Sequence, residues 1–212
     1  MNQSPIRVRA FACALAAVAG YLDAIGFLHL GGFFVSFMSG NTTRLGVGLI
    51  GNFSEAATAA LLIALFVIGV MLGSLIAHAA GRREKVAVLG TMSLLLAAGA
   101  LLADMSAERM AVIAVVLAMG MENTVFRRNG EVSIGLTYMT GTLVKLGQRL
   151  AAVLTGGERH GWIPYAALWL SLLAGAVCGA FAEAALGLDG LWFASAAVAM
   201  LTLIAATVRI ES

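Results

Sequence analysis

Charge is what this chain has least of. Its 212 residues include 13 Lys or Arg and 11 Asp or Glu, so 11% are charged, against about 25% in soluble domains. A soluble chain this apolar has too few polar side chains to cover its surface, whereas a bilayer lets the outside of a fold be apolar. The net charge is only +2, and the basic residues are scattered between apolar runs. That distribution leaves no basic face and argues against a nucleic-acid partner. Two cysteines, Cys13 and Cys178, each sit inside an apolar segment. They form neither a disulfide framework nor a metal spacing, so they read as small core residues and no cofactor is expected. Proline occurs only at Pro5 and Pro164. No stretch alternates with period two, which argues against a barrel.

What is present is hydrophobicity, at 61% of residues and a mean hydropathy of +0.96, together with 25 glycines that suit close helix packing in lipid. A spanning helix needs about 20 mostly apolar residues. Six segments qualify: residues 10–29, 56–80, 86–103, 110–126, 162–186 and 190–208. Arg7 and Arg9 before the first resemble a signal-peptide n-region, but the remaining chain is equally apolar, so this segment reads as a retained first span. With the N-terminus in the cytoplasm, Arg7, Arg9, Arg82, Arg83, Lys85, Arg127, Arg128, Lys145, Arg149, Arg159 and Arg209 all fall inside, and only Arg44 and Arg109 outside. The positive-inside rule therefore predicts a multi-pass protein of the cell membrane with both termini cytoplasmic.

Two connections, residues 30–55 and 127–161, are too long for simple turns. The first contains GGFFVSFMSGNTTRLGVGLIG, too apolar for a water-exposed loop. It predicts a re-entrant segment, tolerated at depth only where protein or a water cavity surrounds the broken backbone. An eight-span reading, with these segments crossing fully, competes with it but places Arg82, Arg83 and Lys85 outside.

The chain also repeats itself. MSGNTTRLGVGL from Met38 matches MTGTLVKLGQRL from Met139, GYLD ending at Asp23 matches GMEN ending at Asn123, and the GxxxG of Gly69 and Gly73 matches that of Gly175 and Gly179. The expected organisation is one integral domain made of two three-span repeats, residues 1–105 and 106–212. Three is odd, so the second copy enters the membrane from the opposite side, an inverted repeat of the kind found in transporter and channel folds. The fold class predicted is all-α: a polytopic membrane helix bundle of about six transmembrane helices, as two inverted repeats with broken or re-entrant segments.

GYLDAIGF, FVSFMSGNTTRLG, GMENTVFRR and YMTGTLVKLG together resemble the YoaK-like family of bacterial membrane proteins. Ser39 departs from that family's usual Thr, and Glu122 from its frequent Gln. The resemblance covers nearly the whole chain. It implies a membrane protein of similar length and span content in a domain-of-unknown-function family, and it implies neither a substrate nor catalytic residues.

Few residues carry chemistry. Asp23 lies within the first apolar segment, where an ionised carboxylate costs about 2.5–3.5 kcal/mol on insertion scales. It reads either as a proton- or cation-coupling group or as a buried hydrogen-bonded Asp holding a helix break. Asn123 is its repeat counterpart, and the two are expected to face each other. Glu122 reads as the partner of Arg127 in a structural ion pair, and Glu183 as snorkelling to the interface. His29 and His78 are lone histidines without a partner at metal spacing.

The two Met-Ser/Thr-Gly segments are the main site candidates. Ser39, Asn41, Thr42, Thr140 and Thr142 offer hydroxyl and amide groups, and Gly40 and Gly141 allow a helix to begin just after them. Two such helix N-termini, converging from opposite faces with Arg44 and Lys145 one turn on, would attract a small polar or anionic solute. The competing reading is that the glycines only allow close packing, with the hydroxyls bonded back to their helices. The function expected is a non-enzymatic small-solute permease or channel-like transporter. A homodimer is compatible with its size. A scaffold or regulatory subunit without transport is the alternative. A membrane enzyme ranks last, because no intramembrane nucleophile–base pair or metal cluster is visible.

Overall fold

Helices in lipid must satisfy their terminal amides and carbonyls locally, and short devices at the helix ends do so here. The computed structural model describes residues 5–128, 131–132 and 135–207, without the side chains of residues 127, 128, 131 and 132. Eight α-helices run through them: α1 (Ile6–His29), α2 (Met38–Gly51), α3 (Phe53–Ala80), α4 (Glu84–Asp104), α5 (Glu108–Glu122), α6 (Met139–Leu154), α7 (Ile163–Leu186) and α8 (Leu191–Thr207). Between α5 and α6, β1 (Arg127–Arg128) pairs antiparallel with β2 (Glu131–Val132). Asn52 alone separates α2 from α3 and caps α3: its Oδ1 accepts from the Ser54 N–H at 3.1 Å, while its Nδ2 donates to Glu55 at 3.0 Å. Gly81 and Gly187 end α3 and α7 at φ of +51° and +59°, a conformation that favours glycine.

Three helical stretches are long and apolar enough to cross a membrane: Ile6–His29, Phe53–Asp104 and Ile163–Thr207. The second and third each contain two helices joined by a 3-10 turn. Helix α5 is shorter than expected. Its 15 residues rise about 22 Å at 1.5 Å each, less than the roughly 30 Å of hydrocarbon. The chain leaves it at Glu122 rather than at residue 126, through turns that bond the Thr124 N–H to Met121 and the Val125 N–H to Glu122.

Large apolar side chains lie exposed along the outer helices: Leu61, Ile68, Met71 and Leu75 on α3, Leu170, Val177 and Phe181 on α7, and Met200 and Leu203 on α8. In water such a belt would drive association; in lipid it is an ordinary outer surface. Helices α1 and α5 contribute much of the core, including Leu15, Leu22, Val116 and Met119, all fully buried. The chain is an all-α polytopic membrane helix bundle.

The two halves make matching contacts at matching positions. Gly175 and Gly179 of α7 lie so close to α1 that a Cβ on either would overlap the carbonyl oxygen of Ala17 or Tyr21, and one on Gly20 would overlap that of Leu172. Helices α3 and α5 meet in the same way: a Cβ on Gly69 would overlap the Leu117 carbonyl, one on Gly120 that of Phe66, and Gly73 abuts Met121 and Thr124. Each half's glycine helix therefore clasps the first helix of the other half. Between α4 and α8 the Ser93 hydroxyl donates to the Ser195 carbonyl at 3.1 Å, and the Ser195 hydroxyl donates to the Ser93 carbonyl at 3.0 Å. Such a reciprocal exchange is the mark of a self-complementary, two-fold contact.

Gly175→Ala should lower the thermal midpoint of detergent-purified protein, with overpacking costing about 1–3 kcal/mol. Gly147→Ala, at a helical position with nothing within 4 Å of the added carbon, should hold or raise the midpoint, since Ala is favoured over Gly in a helix by about 1 kcal/mol. Equal melting of the two variants would show that the glycine approach does not hold the halves together.

Candidate functional site

Asp23 stands in the last two turns of α1, and the chain that leaves α1 folds back onto it. Its Oδ1 accepts from the backbone N–H groups of Val35 at 2.9 Å and Ser36 at 2.7 Å, and its Oδ2 accepts from the Ser36 hydroxyl. Asn41, fully buried in the first turn of α2, grips the same segment from the other side. Its Oδ1 accepts from the Phe34 N–H at 3.0 Å and its Nδ2 donates to the Phe34 carbonyl at 2.7 Å. Broken backbone at depth is thus satisfied by two side chains, as lipid requires. Three aromatic rings cover it, with centroids 4.9 Å apart for Phe27–Phe34 and 5.2 Å for Phe34–Phe37.

The second half repeats this tie without the charge. The Asn123 Oδ1 accepts from the Thr137 hydroxyl at 3.0 Å, and its Nδ2 donates to the Met119 carbonyl at 3.1 Å. Ser36 and Thr137 each precede their Met-Ser/Thr-Gly motif by two residues. That shared position is the signal by which the sequence could have revealed both.

Several expectations need correction. Helices α2 and α6 begin at Met38 and Met139, before Gly40 and Gly141 rather than after them, because the preceding residues are already anchored by Asp23 and Asn41 or by Asn123. The entry to α2 already holds a carboxylate, that of Asp23. Helix α2 packs on α3 and α6 on α7, so the two N-termini rest on different neighbours. Arg44 turns back, its guanidinium 4.5 Å from the Phe33 ring centroid and against Gly32. Ser39, Thr42, Thr140, Gly141 and Lys145 are exposed, Gly40 is half-buried, and Thr142 is buried. The hydroxyls of Thr42 and Thr142 bond back to Met38 at 2.8 Å and Tyr138 at 3.3 Å, as Thr does within helices. Asp23 and Asn123 each bind their own returning segment. The expected pairing of Glu122 with Arg127 falls on a side chain outside the described residues.

Two features were not foreseen. Glu122, the last residue of α5, is 0% exposed, and neither of its carboxyl oxygens has a hydrogen-bond partner among the described residues. The charged group acting on it is Asp23 of α1. His29 is not alone either. Its Nε2 lies 3.6 Å from Glu108 of α5 and its Nδ1 3.4 Å from Glu183 of α7, so Glu183 ties helices together rather than reaching for the interface. Below His29 lies a small cleft walled by Leu22, Ile25, Gly26, Val35, Val112 and Val115, between α1 and α5. Among the described residues no group of three or more His, Cys, Asp or Glu is arranged to hold a metal.

These features define a helical integral membrane protein with glycine-interrupted segments tied to two central helices. The chain belongs to the family described as "Protein of unknown function (DUF1275)", which matches residues 11–204, in keeping with its YoaK-like motifs. It is 37% identical over 194 residues, 91% of this chain and 84% of the relative, to the UPF0700 transmembrane protein RA0705 of Rhizobium meliloti (strain 1021). No solved structure matches the chain.

Asp23→Ala strands the N–H groups of Val35 and Ser36, each worth about 1–3 kcal/mol when buried and unpaired. It should lower the thermal midpoint more than Asp23→Asn, which keeps an acceptor oxygen, as Asn123 does in the second half. Equal losses in the two variants, read by thermal melting, would rule out the tie.

Proposed function

We propose that this protein is a small-solute permease of the inner membrane, in which two inverted halves move against each other about the seam between α1 and α5. The observation that carries this reading is Glu122, a fully buried carboxyl without a hydrogen-bond partner among the described residues. A scaffold gains nothing from such a group, because a buried charge costs several kcal/mol and a neutral side chain packs as well. Polar and ionisable residues inside a membrane bundle mark ion and substrate paths, and inverted repeats place those paths at their interface. The matched glycine contacts and the Ser93–Ser195 exchange support the two-fold relation, and with an odd number of spans per half that relation inverts one half. The basic residues favour cytoplasmic termini. The solute is small, because the cleft between α1 and α5 is narrow and apolar. The reading makes the protein a carrier rather than an enzyme.

A thermal-shift screen of small polar and anionic solutes on purified protein tests this. A solute at one hundred times its Kd adds about 2.7 kcal/mol of stability. At least one should raise the midpoint and be taken up by proteoliposomes. A panel in which nothing binds and nothing is taken up overturns the permease and leaves a scaffold.

A further inference from the structure

The two carboxyls at the centre are in opposite circumstances. Asp23 has both oxygens met by donors, two backbone N–H groups and one hydroxyl. Both of its oxygens are therefore engaged by the chain's own donors. Glu122 has none of this. It is fully buried, both oxygens lack a partner among the described residues, and the charge that acts on it has the same sign.

Its surroundings offer no offset. Helix α3, packed on α5, carries Glu55 in its first turn and His78, exposed, in its last. Helix α4 brings Lys85, whose ammonium lies 5.5 Å from the centroid of the Phe126 ring, and its Glu84 is half-buried. On α1, the buried Arg9 Nε has no acceptor among the described residues. No basic side chain among the described residues bonds to either oxygen of Glu122. One turn before it on α5 stands Met119, fully buried, and among the described residues no group of three or more His, Cys, Asp or Glu is arranged to hold a metal.

We propose that Glu122 is a proton-binding site, and that the proton is the ion coupled to transport: the carboxylate takes up one proton from one side when the seam opens, crosses as the neutral acid while buried, and releases that proton to the other side. This rests on the permease reading for the word transport, but the proton site itself does not.

Infrared difference spectroscopy of purified wild-type protein should contain the C=O stretch of a buried protonated carboxyl at neutral pH, and its position should shift in D2O. The band should vanish in Glu122→Gln, shift without vanishing in Glu122→Asp, and persist in Asp23→Asn. A band unchanged in Glu122→Gln overturns the proposal, as does its absence from wild type. Thermal melts in sodium chloride against choline chloride separate the nearest rival: stabilisation by sodium that Glu122→Gln abolishes, without an acid band, makes this a cation site. None of these readings needs a solute. A failed solute screen with the band in place sinks the permease and spares the site, while a bound solute with no band does the reverse.

Discussion

Backbone contact without side chains between is the constraint on which this bundle depends. Lipid tails are as apolar as Leu, so helices in a membrane gain nothing by hiding Leu from them; they associate through close van der Waals packing and through polar groups that need a partner. Gly20, Gly175 and Gly179 on one side, and Gly69, Gly73 and Gly120 on the other, bring two helix pairs together with carbonyls where side chains would otherwise stand. Because each pair joins one half to the other, neither half is complete by itself.

Polarity is managed just as locally. The returning segment after α1 is fastened by one carboxylate and one amide, and its counterpart after α5 by an amide and a hydroxyl. The copies differ by charge at corresponding positions, Asp23 against Asn123, while the residue before each is Leu22 in one half and Glu122 in the other. The negative group in the second half has moved by one residue, from a place where the backbone surrounds it to a place where nothing does.

Much of this was legible in the sequence. Hydropathy placed α1, α3, α4, α7 and α8 to within a few residues at most ends, since length and apolarity are properties of a segment. The matching motifs stand out because Gly40 and Gly141 keep their spacing to flanking residues. The role of Asp23 as a tie was one of two readings; what settles it is the position of Val35 and Ser36, residues whose own letters carry no such signal because their backbone does the work. The end of α5 was misplaced because Val125 and Phe126 continue the apolar run beyond Asn123 and Thr124, whereas the chain already turns at Thr124. The full burial of Glu122 was not legible, because sequence offers only the nearest basic residue, Arg127, as its partner. The His29 contacts join three helices and lie beyond any local pattern.

The mutual exchange between Ser93 and Ser195 has a consequence for the chain's construction. Each donor is also an acceptor for its opposite number, so the contact would form equally well between two separate, identical halves. Joining them covalently fixes their ratio at one to one and removes any dependence on concentration, and it frees each half to diverge. Glu122 standing where the matching motif has Leu22 is the sort of asymmetry that two identical subunits could never acquire.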